Sequence, residues 1–443
     1  MKLIPSKSYL NSFIRSIARD SLIKTSGIYT KRSIWKKIKR IRRISRLSIY
    51  ERDNFNANEL AKALLRAQNT EFYKSTITTE VIEKVLIDTR YLQDLVPITK
   101  KSDLQNDPYA FTTRKFNKAS VYNNFTNGSS GPSALIFYDG DAADKSSAVT
   151  WWCRSFYENI WKNTTIHLAT DLIENSLELP KWNDWIRHYS TNRFNLFISS
   201  WNEGQSEIRR ISNKINKLNV NMMHGHPSVG YSLANELHKH ELSLKINYFE
   251  SSGETLFNYQ KEAIERNFKC KLINRYGLAE AGIIAYQFPN DGEKMRVIEH
   301  RVEIEENIKP EPLIFTTKEN NLFSLIRYEC GDVGHIRKIN GVKYVMSLNG
   351  RKHKDIQVGN LRISSAVLMD IINHRLNGVI DFQLKEGINP ILYMSLENHS
   401  TETRESIIDK LKKYAKTEFE VYIIPYSSFK RKGIRDKFVH WID

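Results

Sequence analysis

The feature that most constrains the fold is an alternation of short β-rich runs and helical runs between about residues 121 and 345. An apolar and aromatic run predicts a strand over 135–138. A second strand is predicted over 246–249, and a helix follows it over 259–268. Alternation of this kind is typical of α/β proteins with a substantial parallel sheet. We therefore predict a large α/β domain, with parallel or mixed sheets and helices, over residues 51–349.

The pattern changes after residue 349 and predicts a second, smaller unit. The expected strands cover 361–363, 379–385, 391–397 and 419–424, and the expected helices cover 367–376 and 403–414. Strands and helices in this order predict a small α+β domain over residues 350–443.

Composition narrows the functional classes. The chain has 443 residues, of which 40% are apolar and 26% are charged, as in a soluble globular protein. Its net charge of +17 indicates an anionic partner such as a nucleotide, a nucleic acid or a lipid headgroup. A general bias toward Lys, Asn and Ile is the alternative explanation. An RNA-binding protein is disfavoured, because the chain carries no signature of the common RNA-binding modules.

The cysteines and the apolar runs bear on the compartment. Cys153, Cys270 and Cys330 are far apart and form no CxxC pair, which favours a reducing cytoplasm over a disulfide framework. The N-terminus lacks the apolar run of a signal peptide, and no run of about 18 apolar residues predicts a membrane span. We therefore expect a cytoplasmic protein, with peripheral association at the inner face of the membrane as an option.

The first fifty residues are predicted to form a basic amphipathic helical arm. Ile34, Ile38, Ile41 and Ile44 recur at steps of four and three among many Lys and Arg residues. Two interpretations stay open for residues 1–50. The isoleucines pack on the body while the cations are solvated, or the arm docks on an anionic membrane or a polysaccharide-assembly partner.

A glycine- and serine-rich loop precedes the first predicted strand. It consists of Thr126, Asn127, Gly128, Ser129, Ser130 and Gly131. Glycines allow the backbone to approach a phosphate, and hydroxyls and N–H groups then donate to its oxygens. The loop is not a Walker motif, because it lacks GxxxxGK[ST]. A plain turn is the alternative.

Three further segments follow predicted strands, where α/β proteins bind ligands. They are Ser252-Gly253-Glu254, Tyr276-Gly277 with Glu280, and Asp332. The Tyr276 ring could lie against a base, Glu280 could hold Mg²⁺, and Asp332 could accept hydrogen bonds from ribose hydroxyls. The alternatives are a helix N-terminal charge for Glu280 and an ordinary turn role for Asp332.

Taken in order, these motifs resemble the adenylate-forming superfamily, in particular its phenylacetate–coenzyme A ligase branch and relatives in capsule and surface-polysaccharide loci. The resemblance runs from about residue 59 to the C-terminus. Its matching segments are 71–74, 96–100, 126–131, 225–228, 252–256, 276–280, 326–334 and 350–351 with Asp355.

The resemblance implies a two-step ligase that uses ATP and Mg²⁺. A substrate carboxylate attacks the α-phosphorus of ATP to give acyl-AMP and pyrophosphate. A thiol, with coenzyme A as one option, or an amine then accepts the acyl group. The family pattern assigns the β- and γ-phosphates to loop 126–131, Mg²⁺ to Glu280 and the ribose to Asp332. It assigns the adenine to Ser252, Gly253, Glu254, Tyr276 and Gly277, and a position beside the hinge of a mobile C-terminal lid to Arg351. The catalytic lysine is expected at Lys437, with Lys432 as the second candidate. The acid pocket is expected to include His226, Ser228 and Tyr231, which suggests a small or polar acid.

Departures from the family pattern support a second interpretation. Asn127 and Ser130 replace the usual Ser and Thr of the loop, and Ala279 replaces a Thr whose hydroxyl is expected near the α-phosphate. A catalytically inactive scaffold that binds nucleotide or a partner is therefore the alternative to an enzyme. Some relatives bind zinc after the YGxTE motif, but Phe288 and Pro289 stand there in this chain, and no structural zinc is expected.

Overall fold

The computed structural model describes most of the chain from residue 33 onward. The described residues are 33–117, 121–125, 134–157, 164–170, 185–188, 193–198, 205–217, 220–351, 355–364, 368, 371–372, 375–396, 400–415, 417–432 and 437–442. The predicted phosphate loop 126–131 lies outside them.

Among the described residues, five α-helices precede the first strand. Helix α1 covers 33–44 in the described part of the chain. The others are α2 (Ile49–Ala67), α3 (Thr79–Ile87), α4 (Tyr91–Leu95) and α5 (Lys101–Asn106). A capping box starts α2, in which the Ser48 side chain accepts from the Glu51 backbone and Glu51 accepts from the Ser48 backbone. The apolar face of α2 then buries Leu60 and Leu64 in the main core.

A twelve-stranded mixed sheet forms the centre of the large region. Its strands are β3 (Thr164–Thr170), β4 (Trp185–His188), β5 (Arg193–Ile198), β6 (Val220–Gly225), β7 (Tyr248–Ser252), β8 (Lys271–Leu278), β9 (Gly282–Tyr286), β10 (Met295–Val297), β11 (Val302–Ile304), β12 (Glu311–Thr317), β13 (Tyr328–Ile339) and β14 (Val342–Arg351). Their order is β11-β12-β13-β14-β10-β9-β8-β7-β6-β3-β5-β4. The run β8-β7-β6-β3-β5 is parallel, and the flanking pairs are antiparallel. A separate hairpin of β1 (Tyr122–Phe125) and β2 (Leu135–Tyr138) flanks the predicted phosphate loop.

Helices cover both faces of the parallel strands. They are α6 (Gly140–Arg154), α7 (Gln205–Lys217), α8 (Pro227–Lys239) and α9 (Asn258–Phe268). Met223 and Phe249 pack toward α7, α8 and α9, whereas Met222 and Ile273 pack toward α1 and α6. Adjacent strand residues thus bury opposite faces, as a sheet covered on both sides requires. This is the predicted α/β architecture.

Helix α1 packs on the body through its isoleucine stripe. Ile38, Ile41 and Ile44 are buried, and the first two belong to one apolar cluster with Val149 and Trp152 of α6. Of the two interpretations of the amphipathic pattern, the described part of the arm follows the one in which the isoleucines face the body.

The C-terminal region has its own sheets and core. A four-stranded sheet has the order β19 (Glu420–Ile423), β18 (Ile391–Leu396), β17 (Val379–Lys385) and β22 (Trp441–Ile442), and α10 (Arg404–Ala415) packs beside it. Two short ribbons pair β15 (Asp355–Val358) with β16 (Leu361–Ser364), and β20 (Arg431–Lys432) with β21 (Lys437–Phe438). Strand β14 runs to Arg351, so the predicted boundary at 349 falls inside the last strand of the large sheet. No helix in the described ranges combines the length and apolar character needed to cross a membrane.

Candidate functional site

The carboxyl ends of the parallel strands β6, β7 and β8 bring several predicted site residues to one edge. His226 follows β6, and its Nδ1 lies 2.9 Å from the carbonyl oxygen of Ser252 at the end of β7. Gly253 has φ +88°, and a Cβ added there would lie 2.5 Å from the His226 ring. Glycine is therefore required at 253 both by its backbone conformation and by the close approach of His226.

The carboxylate of Glu254, from the loop after β7, lies against the N-terminus of α8. Its Oε2 accepts from the backbone N–H of Ser228 at 3.2 Å, and Ser228 is fully buried. The first N–H groups of a helix have no partner within the helix, and the helix dipole favours an anion there. Glu254 thus links the loop after β7 to the loop after β6, and Pro227 at the start of α8 suits the same helix end.

A second pair joins two motifs that are far apart in sequence. Tyr276 Oη donates to Asp332 Oδ2 at 2.9 Å across a separation of 56 residues. Tyr276 is buried while Asp332 is half-buried. Burial raises the pKa of Tyr276 well above its ordinary value, and Cys330 and Asp332 raise it further. The hydroxyl therefore stays protonated and keeps its role as donor.

The same edge includes the end of β14. Asp332 and Arg351 are Cα partners in the antiparallel pair of β13 and β14. Two residues that the sequence assigns to the ribose and to the hinge are thus direct neighbours on adjacent strands.

Glu280 lies in the turn between β8 and β9. Its Oε1 accepts from Tyr328 Oη at 3.3 Å. At Gly277 an added Cβ would lie 2.7 Å from the carbonyl oxygen of Gly282, so the two strands approach too closely for a side chain there. Within the described residues, no group of three or more His, Cys, Asp or Glu side chains could hold a metal ion.

Three other predicted site residues, Lys432, Lys437 and Tyr231, lie elsewhere in the fold. Lys437 and Lys432 are Cα partners in the β20–β21 ribbon, so both candidates for the catalytic lysine occupy one rung. Tyr231 is buried and makes edge contacts with Tyr259 and Tyr426, with ring centroids 5.0 Å apart in each pair. It thus lies between α9 and the C-terminal region.

Comparisons with known proteins agree with this architecture. No protein-family model matches the chain. Protein CapK of Staphylococcus aureus is 24% identical over 412 residues, covering 88% of this chain and 87% of CapK. A crystal structure of 2-hydroxyisobutyryl-CoA ligase in the postadenylation state has a TM-score of 0.63 at 14% identity, covering 89% of this chain and 90% of that one. The acyl acid amido synthetase AtGH3.15 has a TM-score of 0.58 at 11% identity, covering 88% and 91%.

The chain has the adenylate-forming fold. The shared fold extends over both the large sheet and the C-terminal region, since about nine-tenths of each chain is covered. The phenylacetate–coenzyme A ligase branch of the superfamily stays a prediction.

Behind the edge of this adenylate-forming fold lies a buried charge network that the sequence did not predict. Glu250 of β7 accepts from Arg154 at 2.5 Å and from Arg275 at 2.8 Å. His224 Nδ1 lies 3.5 Å from Glu250 Oε1, and the His224 ring stacks on His167 with centroids 5.1 Å apart. We call Arg154, Glu250, Arg275 and His224 the Glu250 network.

Electrostatics in the network favour one charge state. Burial raises the pKa of Glu250, but the guanidiniums of Arg154 and Arg275 outweigh it and the net shift is downward. Burial lowers the pKa of His224 well below its ordinary range, against the attraction of Glu250. Glu250 is therefore ionised and His224 neutral at pH 7. No spacing rule predicts the network, because Arg154 and Glu250 are 96 residues apart.

Proposed function

We propose that the protein is an AMP-forming acid ligase, which activates a carboxylic acid as acyl-AMP and passes the acyl group to a thiol or an amine. The observation that carries the proposal is the Tyr276–Asp332 hydrogen bond. It joins the two motifs expected to bind adenine and ribose, at the strand ends where an adenylate-forming fold has room for a ligand.

The residues present fit an adenosine moiety. Tyr276 offers a buried aromatic ring beside the half-buried carboxylate of Asp332, and a carboxylate can accept from both ribose hydroxyls. Ser252 is half-buried and Gly253 is exposed, with the His226 ring packed against Gly253. Because Tyr276 donates to Asp332, the carboxylate is held in one orientation before the nucleotide arrives, which reduces the entropy cost of binding.

The phosphates would extend from the ribose toward Glu280. Bound with the nucleotide, Mg²⁺ would neutralise phosphate charge and favour departure of pyrophosphate. Glu280 is positioned by its contact with Tyr328. The loop 126–131 is proposed to hold the β- and γ-phosphates, since it joins the two strands of the β1–β2 hairpin.

A lysine of the β20–β21 ribbon is proposed to bridge the substrate carboxylate and the α-phosphate. A fixed cation at this point stabilises the negative charge that develops as the carboxylate oxygen attacks phosphorus and pyrophosphate leaves. Lys437 is the first candidate, and Lys432, its Cα partner, is the second.

The acceptor step is proposed to need movement of the C-terminal region. That region contacts α9 through Tyr259 Oη, which donates to Asp381 Oδ2 at 2.6 Å. The ligase relative superposes better in its postadenylation state, at a TM-score of 0.63, than in its thioesterification state, at 0.54. The present arrangement would thus correspond to the first step. Coenzyme A and an amine are both open as acceptors, since the two solved relatives are a CoA ligase and an amido synthetase.

A role in surface-polysaccharide modification is the finer proposal. It is supported by the sequence resemblance to relatives in capsule loci and by the likeness to a protein named CapK. The protein would then work in the cytoplasm at the inner face of the membrane. Since the isoleucines of α1 face the body, any attraction of α1 to a membrane would be electrostatic. Sedimentation with anionic vesicles should then be abolished by high salt.

Pyrophosphate release with a panel of small and polar carboxylic acids tests the ligase proposal. We expect release with at least one acid and a loss of about 100-fold or more in Lys437→Ala. Lys432→Ala is the matched control, because it removes the same charge from the same rung of the ribbon. A larger loss of pyrophosphate release in Lys432→Ala than in Lys437→Ala would identify Lys432 as the catalytic lysine.

A catalytically inactive nucleotide-binding scaffold is the second candidate. The scaffold is favoured by Ala279, which lacks the hydroxyl that the family places near the α-phosphate. Retained ATP binding without pyrophosphate release for any acid would support the scaffold. Restoration of release by Ala279→Thr would show that this single position had silenced a ligase.

A further inference from the structure

A cleft whose lining contains none of the proposed ligase residues lies beside α1 and α6. It encloses about 310 Å³ between the end of α1 and the end of α6. Its lining residues are Arg42, Ser45, Arg46, Trp152, Ser155 and Phe156, and we call it the arginine cleft. Its volume is near the lower end of the range for small-molecule sites.

Two of the cations of α1 are paired with acidic side chains. Lys37 pairs with Asp141 at 2.9 Å and Arg40 pairs with Glu59 at 3.4 Å, so both help to hold α1 on the body. Arg42 near the end of α1 and Arg46 just beyond it have no acidic partner within 4.0 Å among the described residues, and the Arg42 guanidinium lies 5.4 Å from the Trp35 ring centroid. The cleft therefore concentrates positive charge that the described protein does not neutralise.

The serines of the cleft do not add donors. Ser45 Oγ donates to the carbonyl oxygen of Arg42 at 2.9 Å, and Ser155 Oγ donates to that of Trp152 at 2.6 Å. Each hydroxyl has one hydrogen to donate. The two guanidiniums are thus the main donors to any ligand.

One side of the cleft is aromatic. Phe156 is half exposed, and its ring meets Trp152 edge-on at 5.4 Å and Phe288 at 4.9 Å. An exposed ring that is held by two others offers a rigid apolar surface. The cleft thus pairs an apolar wall with two guanidiniums.

We propose that the arginine cleft binds a phosphate group carried on an apolar or aromatic body. Guanidiniums match phosphate oxygens through paired N–H donors, and Phe156 would contact the rest of the ligand. The chemistry is shared by a phospholipid headgroup and by a soluble aromatic phosphate. The cleft is too small and too local for the extended basic stripe of a nucleic-acid site.

Binding to the full chain tests the cleft with four probes: inorganic phosphate, phenyl phosphate, monomeric dihexanoyl phosphatidylglycerol, and vesicles with and without phosphatidylglycerol. Affinity is measured by calorimetry for the soluble probes and by sedimentation for the vesicles. We expect the double substitution Arg42→Gln/Arg46→Gln to lower the affinity for the preferred probe by about tenfold or more, because charged hydrogen bonds to the phosphate are lost.

The matched control is Lys36→Gln/Arg43→Gln. It removes the same charge from the same stretch of chain, and neither residue lines the cleft. A loss confined to the Arg42/Arg46 variant supports the cleft. Equal losses in both variants would mean diffuse attraction and would overturn it, as would absence of binding by every probe.

Phe156→Ser separates the two halves of the ligand. This substitution should lower the affinity for phenyl phosphate or for the lipid and leave the affinity for inorganic phosphate unchanged. An unchanged affinity for all probes would overturn the assigned role of the ring. Preference for phenyl phosphate identifies a soluble ligand, and preference for phosphatidylglycerol identifies a headgroup. Unchanged thermal unfolding of each variant and unchanged ligase activity separate this site from the proposed function.

Discussion

The Tyr276–Asp332 pair and the Glu250 network are both polar, but they differ in what surrounds them. Asp332 is half-buried at the edge of the sheet, and its carboxylate accepts from the neutral hydroxyl of Tyr276. Glu250 is completely buried between two guanidiniums. A carboxylate at an accessible edge can change partners when a ligand arrives, whereas a buried charge must keep its partners. We therefore propose a binding role for the Tyr276–Asp332 pair and a stabilising role for the Glu250 network.

The largest effect is expected from Glu250→Gln. The substitution leaves Arg154 and Arg275 buried without their counter-charge, which should lower the free energy of unfolding by about 3–5 kcal/mol. Urea denaturation measures the loss. The control is Glu71→Gln, which removes the same charge from the exposed pair of Glu71 and Lys74 and should leave stability nearly unchanged. Equal small effects at both positions would refute a stabilising role for the network.

Acidification should weaken the fold through two buried histidines. Burial is the main cause that lowers the pKa of His224, and it lowers the pKa of His300 to about 4 from 6.5. As pH falls through 6.5 the unfolded chain takes up protons first, so stability present above that pH is lost progressively toward pH 4.

For His300 alone the loss between about pH 7.5 and about pH 5 is about 2 kcal/mol. Urea denaturation at the two values measures it, and His300→Gln should make the dependence shallower. His224→Asn should also make the pH dependence shallower if the Glu250 network contributes to it. A wild-type stability that does not change with pH in this range would contradict both assignments.

The smallest effect is expected at the edge pair. Tyr276→Phe removes one hydrogen bond to Asp332, which corresponds to about 1 kcal/mol, or less than about tenfold in the KM for ATP. Asp332→Asn should raise KM further, because the ribose then loses a charged acceptor. Steady-state kinetics measure both changes. Were either substitution to cost more stability than Glu250→Gln, the division of roles would be reversed.

Strand interiors agree with the sequence prediction better than strand ends do. The strands at 135–138 and 379–385 were predicted with the bounds observed. The strand predicted over 246–249 instead runs from Tyr248 to Ser252, because its ladder with β8 begins at the Tyr248–Lys271 pair. An apolar run locates a buried strand, whereas the neighbouring strand decides where pairing begins and ends.

The same distinction holds for the site. The family resemblance assigned Tyr276 and Asp332 to the same nucleotide, and the structure brings them together. The sequence placed both residues after strands, whereas they lie inside β8 and β13. The Glu250 network could not be predicted, because its charges have no shared spacing and meet only when β6, β7, β8 and α6 are assembled. The arginine cleft was missed for a related reason, since the basic run indicated charge but not its aromatic neighbours.

The inward-facing isoleucines of α1 have a practical consequence. A polypeptide shortened to begin at residue 50 would expose the apolar side chains of α6 that Ile38 and Ile41 cover. It would also leave Asp141 and Glu59 without Lys37 and Arg40. Newly exposed apolar patches promote self-association. Such a shortened form should therefore give aggregates and a low yield of soluble protein, whatever the intact N-terminal segment binds.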